Sequence, residues 1–144
     1  MKIFTNGCFD LVHRGHLELL DYCRHRAGSS DENIPLSMRG EVIVGLNSDA
    51  SVKRLKGEDR PVNNQADRKY LLECLKSVDR VIIFGEDTPE ELIKRINPDL
   101  IIKGGDWSKK EVARLVDVDP KKIIIWKYVE GVSTTNTIST IKSC

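Results

Sequence analysis

Five short apolar runs recur along the chain, separated by segments with helical spacing or by turn residues. They occupy residues 2–5, 41–46, 81–84, 99–103 and 122–129. Such runs are typical of strands in a parallel sheet whose two faces are both covered by helices. The alternation of five strands with five helices predicts an α/β fold, a Rossmann-like, doubly wound five-stranded parallel sheet with right-handed crossovers.

The segments between the runs differ in pattern. Helices are predicted over 13–26 and 64–78, from Asp87 to the stop at Pro98, over 109–116, and after Ser133. Residues 53–61 are predicted to form a basic loop, and residues 27–40, which are polar and have no periodicity, form a long loop insertion. A chain of 144 residues suits a single domain over 1–144.

Composition excludes several classes of partner. The 23 basic side chains nearly balance the 22 acidic ones, so no overall field attracts nucleic acid or an anionic membrane. Met1 leads directly into the first run, and no apolar stretch is long enough for a signal peptide or a membrane span, which predicts a cytoplasmic protein. Four cysteines without CxxC spacing predict free thiols rather than disulfides or a zinc site.

The candidate catalytic segment follows the first run. His13 and His16, two of only three histidines, flank Gly15 where the first helix begins. At a spacing of three they share one face with the free N–H groups of the first turn, and that arrangement suits a phosphate. Ordinary surface or core histidines are the alternative interpretation, which this spacing after a strand disfavours.

Polar groups follow other strands as well. Asn47 and Asp49 come after the second run, and Gly105, Asp106 and Trp107 follow the fourth. Two glycines before an acid and a large ring indicate close approach to a flat ligand such as a base, whereas a plain turn with a packed tryptophan is the alternative. The basic loop contains Arg54, Lys56 and Arg60. We expect it either to contact a triphosphate or to be an ordinary solvated charged loop.

Three consecutive hydroxyl residues, Ser133, Thr134 and Thr135, precede the last helix. A helix cap needs only one hydroxyl, so the run favours a second anion-binding site over a simple cap. Because the carboxyl ends of parallel strands share one edge, these separate segments are expected to meet in one cleft.

One string of residues resembles a known family. Gly7-Cys8-Phe9-Asp10 followed by His13-Arg14-Gly15-His16 is similar to the signature of the cytidylyltransferase-like nucleotidyltransferases, whose HxGH motif binds the phosphates of a nucleoside triphosphate. Within that family, later motifs such as Lys103-Gly104-Gly105-Asp106 and Glu130-Gly131-Val132-Ser133 resemble the adenylyltransferase domains of bifunctional heptose-phosphate kinase/adenylyltransferases.

The resemblance implies transfer of a nucleoside monophosphate from ATP or CTP, accompanied by Mg²⁺, to a sugar phosphate or polyol phosphate, with release of pyrophosphate. The favoured reaction makes ADP-heptose from ATP and D-glycero-D-manno-heptose 1-phosphate for lipopolysaccharide biosynthesis. The alternative is glycerol-3-phosphate cytidylyltransferase, which Trp107 favours and Tyr128 disfavours. A non-catalytic nucleotide-binding regulator is the alternative from another class, and the resemblance also suggests a homodimer.

The resemblance also assigns roles residue by residue. His13, His16 and Lys56 are the implied catalytic residues, acting without a protein nucleophile, and no side chain is expected to bind metal. The implied nucleotide-binding residues are Thr5, Asn6, Gly7, Phe9, Asp10, Gly15, Lys103, Gly105, Asp106, Trp107, Ser133, Thr134 and Thr135. The implied acceptor or phosphate contacts are Asn47, Asp49, Arg54, Arg60 and Arg68.

Overall fold

The computed structural model describes residues 1–28, 31, 33–35, 37–127 and 131–144. Its strands are β1 (Lys2–Gly7), β2 (Glu41–Asn47), β3 (Arg80–Phe84), β4 (Leu100–Gly104) and β5 (Ile123–Trp126). Its helices are α1 (Arg14–Ala27), α2 (Asp49–Lys56), α3 (Gln65–Glu73), α4 (Glu90–Ile96), α5 (Lys109–Val116) and α6 (Thr134–Lys142), with a 3-10 turn at Pro120–Lys122.

The five strands form one parallel sheet in the order β3-β2-β1-β4-β5. β1 lies at the centre, where Gly7 pairs with Leu46 of β2. Toward the two edges, Asn47 pairs with Phe84 and Gly104 pairs with Trp126. The predicted fold class is confirmed, and the carboxyl ends of all five strands meet along one edge, where ligands bind in sheets of this kind.

Helices cover both faces of the sheet, as the uniformly apolar strands require. On one face, buried side chains of α4 and α5 pack on Phe4, Ile43 and Ile101. On the other, Leu20 of α1 and Leu72 of α3 pack on β2 side chains. A Cβ on Gly45 would lie 2.7 Å from the Phe4 ring, so only glycine lets the ring approach the neighbouring strand so closely.

The prediction of a loop over 53–61 is wrong for its first part. Residues 49–56 form α2, which Ser48 caps by accepting a hydrogen bond from the Ser51 N–H and which ends before Gly57 at a φ of 109°. Only Ser51 and Val52 of this helix are buried. Its eight residues include only two long apolar side chains, Val52 and Leu55, among many charged ones, so in the sequence it looks like a charged loop. The described residues therefore contain six α-helices rather than the predicted five.

Three other boundaries differ from the prediction. α3 ends at Glu73, although Leu75 and Val78 still pack into the core through turns rather than helix. α4 starts without a side-chain cap, because Pro89 occupies the capping position. β5 ends at Trp126, and residues 128–130 of the predicted strand and motif lie outside the described residues, as do residues 29, 30, 32 and 36 of the predicted insertion.

Candidate active site

The turn between β1 and α1 is shaped by the ring of Phe9. Phe9 has a φ of 44°, in the left-handed region that non-glycine residues rarely adopt. Its side chain folds back over Gly7, where a Cβ would lie 3.1 Å from the ring atom Cε2. Gly7 therefore makes room for the Phe9 ring, and the left-handed turn itself falls at Phe9.

His13 and His16 stack at the start of α1, with ring centroids 3.8 Å apart and planes 20° from parallel. The Nδ1 atom of His13 accepts a hydrogen bond from the Gly15 N–H at 3.1 Å. The Nδ1 atom of His16 accepts one from the His13 N–H at 3.2 Å. Since both Nδ1 atoms are acceptors, each neutral ring carries its proton on Nε2 and can donate it to a ligand.

The environment keeps these rings neutral. Burial lowers the pKa of His16 to about 4, with a further contribution from the neighbouring His13. Burial also lowers the pKa of His13. Near neutral pH the pair therefore offers N–H dipoles rather than full positive charges. Because both rings are neutral, they can stack without the repulsion that two imidazolium ions would have.

Asp10 fixes the next segment of the site. Its buried carboxylate accepts hydrogen bonds from Arg60 Nε at 2.8 Å and from the backbone N–H groups of Val62 and Asn63. Burial opposes ionisation of Asp10, but the hydrogen bonds from Asn63, Val62 and Arg60 outweigh it and lower the pKa. Asp10 thus holds the 60–63 segment against the β1–α1 turn.

The start of α6 forms the opposite side. Ser133 caps the helix by accepting a hydrogen bond from the Asn136 N–H at 3.0 Å. Thr134 donates its hydroxyl proton to the carbonyl of Leu11, also at 3.0 Å. The free N–H groups and positive dipole ends of α1 and α6 therefore lie close together.

Two lysines add positive charge to the site. Lys103 Nζ lies 3.5 Å from Asn6 Oδ1 and 5.7 Å from the centre of the Trp107 ring. Burial lowers the pKa of Lys103, and the nearby Lys56 ammonium lowers it further. Burial raises the pKa of the Cys8 thiol despite these cations, which agrees with a packing role for Cys8 rather than a nucleophilic one.

These features surround one cleft with a volume of about 500 Å³. Most of the sequence-predicted site residues line it, namely Asn6, Gly7, Phe9, Asp10, His13, Gly15, His16, Asn47, Lys56, Arg60, Lys103, Gly105, Trp107, Ser133, Thr134 and Thr135. Five of the predicted residues do not line it, namely Thr5, Asp49, Arg54, Arg68 and Asp106.

Arg68 lies beneath the cleft rather than in it. Its side chain, only 2% exposed, donates to the carbonyl oxygens of Cys8, Asn47 and Asn63 at 2.7–2.9 Å. Its Nη2 also pairs with Asp49 at 2.8 Å. One guanidinium thus joins the ends of β1 and β2 to α2 and to the 60–63 segment. This explains why neither Arg68 nor Asp49 lines the cleft.

Comparison with known proteins decides the family. A family model described as Cytidylyltransferase-like matches residues 4–141. The chain belongs to this family. This nucleotidyltransferase is 49% identical over 140 residues to a "Bifunctional protein HldE" of Aliarcobacter butzleri, covering 97% of the chain and 26% of that protein. It is 48% identical over 142 residues to the protein of the same name in Nitratiruptor sp., covering 99% and 28%.

The nucleotidyltransferase therefore spans about a quarter of the length of these curated relatives. Among solved structures it is similar to "the lipopolysaccharide core biosynthesis protein" of Thermoplasma volcanium GSS1. The TM-score is 0.66 at 19% sequence identity, over 90% of this chain and 96% of the other. At that identity the likeness concerns the fold.

Part of the cleft wall of the nucleotidyltransferase was not predicted from the sequence. Lining residues without a predicted site role include Asp87, Thr88, Pro89, Ile93, Val112, Leu115, Val116, Trp126 and Lys127. Ile93, Val112 and Val116 lie on helices and are buried, so in the sequence they look like ordinary core residues. Asp87, Thr88 and Lys127, however, come just after the ends of β3 and β5, and that position was a usable signal.

Within the described part of the chain, no group of three or more His, Cys, Asp and Glu side chains could hold a metal ion. No helix in the same residues is both long and apolar enough to cross a lipid bilayer. The nucleotidyltransferase cleft is lined by the histidine pair, Lys56 and Lys103, and N–H donors and cations are the groups that bind phosphate oxygens.

Proposed function

We propose that this domain transfers a nucleoside monophosphate from ATP to the phosphate of D-glycero-D-manno-heptose 1-phosphate, giving ADP-heptose and pyrophosphate. The observation that carries the proposal is the junction of two helix N-termini around a stacked histidine pair, with Lys56 and Lys103 in the same cleft. Such a set of donors matches a triphosphate, which is highly charged and rich in acceptor oxygens.

The proposed step is a direct in-line displacement. An oxygen of the acceptor phosphate forms a bond to the α-phosphorus, and the bond from that phosphorus to the bridging oxygen of the β-phosphate breaks. Pyrophosphate leaves with the electron pair, so no covalent enzyme intermediate is needed. Because both reactants are anions, the protein's task is to align them and to stabilise their charge.

Each group of the cleft has a definite part in this step. The Nε2–H groups of His13 and His16 donate to phosphate oxygens, with the free N–H groups of α1 beside them. Lys56 balances charge that accumulates on the leaving pyrophosphate. The α6 N-terminus, with Ser133 to Thr135, binds the other side of the triphosphate.

Mg²⁺ belongs to the proposal as a companion of the triphosphate. The described residues fit this arrangement, since the cleft supplies phosphate-binding donors while the Asp10 carboxylate is already occupied by Arg60, Val62 and Asn63. The ion would therefore be held mainly by phosphate oxygens. When bound, it neutralises charge on the leaving group.

The choice of ATP and heptose rests on the motif resemblance and on similarity over 97% of the chain to a protein named HldE. Trp107 favours a second candidate, glycerol-3-phosphate cytidylyltransferase using CTP. Its ring is 41% exposed beside Lys103 at the end of β4, where a base or ribose would lie. We further propose that the protein acts in the cytoplasm and forms a homodimer. Sedimentation of the purified protein tests the dimer.

The experiment is a matrix of substrates. ATP, CTP, GTP and UTP are each combined with heptose 1-phosphate and with glycerol 3-phosphate, and pyrophosphate release and the nucleotide product are measured. ADP-heptose as the main product supports the proposal, and CDP-glycerol replaces it with the second candidate. Nucleotide binding without pyrophosphate release from any pair would contradict transfer and support a regulator.

A further inference from the structure

The cleft contains one carboxylate that the phosphate chemistry does not use. Among the described residues that line it, only Asp10 and Asp87 are acidic. Asp10 is buried and fully engaged within the protein. Asp87 stands on the rim with its side chain 67% exposed, and its Oδ1 accepts a hydrogen bond from Arg54 Nε at 2.9 Å. Within the described chain, no hydrogen bond reaches Oδ2 of Asp87.

Arg54 holds Asp87 in place. Besides pairing with the carboxylate, its guanidinium donates to the backbone carbonyl of Gly85, two residues earlier. Arg54 is therefore engaged with the segment after β3, whereas the family resemblance implied a contact with the acceptor or a phosphate. A rim carboxylate fixed in this way repels phosphate but accepts hydrogen bonds well from neutral hydroxyl groups.

Strand order separates this carboxylate from the nucleotide side of the cleft. The histidine pair follows the central strand β1, and Gly105 and Trp107 follow β4 on one side. Asp87 and Thr88 follow β3, two strands from β1 on the other side. With strands about 4.8 Å apart, that offset is roughly 10 Å, which is room for a sugar attached to the acceptor phosphate.

We propose that Asp87 and Thr88 recognise the hydroxyl groups of the acceptor, and so select a polyhydroxylated sugar phosphate. The inference rests on the proposed function, because it places the nucleotide base on the β4 side and the reacting phosphorus at the histidines. Oδ2 of Asp87 accepts a hydrogen bond from a sugar hydroxyl, and the Thr88 hydroxyl contacts a neighbouring one. Arg54 is a positioning residue for this contact.

The test uses the substrate pair on which the wild-type protein is most active. Asp87→Asn and Thr88→Val should each raise the KM for the acceptor about tenfold or more. Asp87→Asn keeps an oxygen for Arg54 but replaces the charged acceptor Oδ2 with an N–H₂ donor, and Thr88→Val removes the hydroxyl. The KM for the nucleoside triphosphate and the Mg²⁺ dependence should stay within twofold of wild type. Glu86→Gln is the matched control, since it removes the adjacent exposed acid, which does not line the cleft.

A second readout separates recognition from a merely structural role. With acceptor analogues that lack one hydroxyl each, the penalty of Asp87→Asn should disappear for the analogue missing the contacted hydroxyl, because no bond remains to be lost. A penalty that persists unchanged for every analogue would overturn the inference, as would a change confined to the triphosphate KM or the Mg²⁺ dependence. Failure of the proposed function itself is distinguishable, because the wild-type protein would then make CDP-glycerol or transfer nucleotide to no acceptor.

Discussion

Thr134 donates a hydrogen bond to the carbonyl oxygen of Leu11 at 3.0 Å, although the two residues are 123 positions apart in the chain. This contact joins the start of the last helix to the turn that precedes the first. The free N–H groups of α1 and α6 face one cleft because these two ends are held together. The proposed phosphate site is thus a product of the tertiary structure rather than of the histidine motif alone.

Replacing Thr134 with valine should loosen this junction. Thr134→Val keeps the shape of the side chain but leaves the Leu11 carbonyl without its hydroxyl partner, so the free energy of unfolding should fall by about 1 kcal/mol. The KM for the triphosphate should rise about fivefold, since the second helix N-terminus is less well positioned. Thr137→Val is the control, because that exposed hydroxyl donates to the carbonyl of the helix cap Ser133 and not to the β1–α1 turn. Equal KM values for both variants would show that the junction does not position the nucleotide.

Arg68 is expected to act through positioning. Lysine cannot reproduce four separate contacts from one planar group, so Arg68→Lys should lower the free energy of unfolding by about 3 kcal/mol, measured by denaturant titration. Turnover should fall in parallel. Lys69→Gln, which breaks only an exposed pair with Glu73, should change stability by less than about 0.5 kcal/mol. A stable Arg68→Lys protein with weakened triphosphate binding would instead indicate direct phosphate contact.

Asp10 should also contribute to the stability of the protein, because it holds the 60–63 segment against the β1–α1 turn. Asp10→Asn removes the negative partner of Arg60 and places an amide N–H₂ against backbone donors, which should cost about 3 kcal/mol in the free energy of unfolding. Asp59→Asn serves as the reference, since that side chain is 89% exposed and lies 3.8 Å from Lys142. If the two substitutions had similar effects in urea titration, the buried network would not be a stabilising element.

The depressed pKa of His16 predicts how stability depends on pH. The folded protein holds this pKa near 4, below the usual 6.5, so the unfolded chain binds more protons between these values. The contribution of neutral His16 to the free energy of unfolding is fully present above pH 6.5. It is lost as the pH falls toward 4, by at most about 3 kcal/mol. In denaturant titrations, the stability of wild type relative to His16→Asn should therefore decrease from pH 7 to pH 4.5. A pH-independent difference would contradict the burial of His16.

Much of the fold was readable from the sequence because the sheet is buried on both faces. Every predicted strand is present, and α5 occupies the predicted residues 109–116. The helix α2 was missed because it buries only Ser51 and Val52, so its charged residues look like a loop. The end of α3 was misplaced because Leu75 and Val78 keep apolar spacing while the backbone leaves the helix.

The two helix N-termini of the candidate site could be predicted, because residue type and position relative to the strands both indicated them. The histidine spacing, the glycine between the histidines and the hydroxyl run indicated two helix N-termini, and the structure brings these together. Side-chain partners were not predictable. Nothing local shows that Arg68 is buried against the carbonyls of Cys8 and Asn47, or that Arg54 pairs with Asp87, because those partners lie 60, 21 and 33 positions away in the sequence.

The most direct measurement compares pyrophosphate release by His16→Asn and by His25→Asn under saturating substrates. Asparagine at position 16 can still accept the hydrogen bond from the His13 N–H, but it lacks the Nε2–H donor that would meet the phosphate. His25 is exposed at the far end of α1 and serves as the control. We predict that His16→Asn loses about 100-fold or more in kcat, while His25→Asn stays within about twofold of wild type. Wild-type turnover by His16→Asn would contradict the central claim that the histidine pair binds the triphosphate.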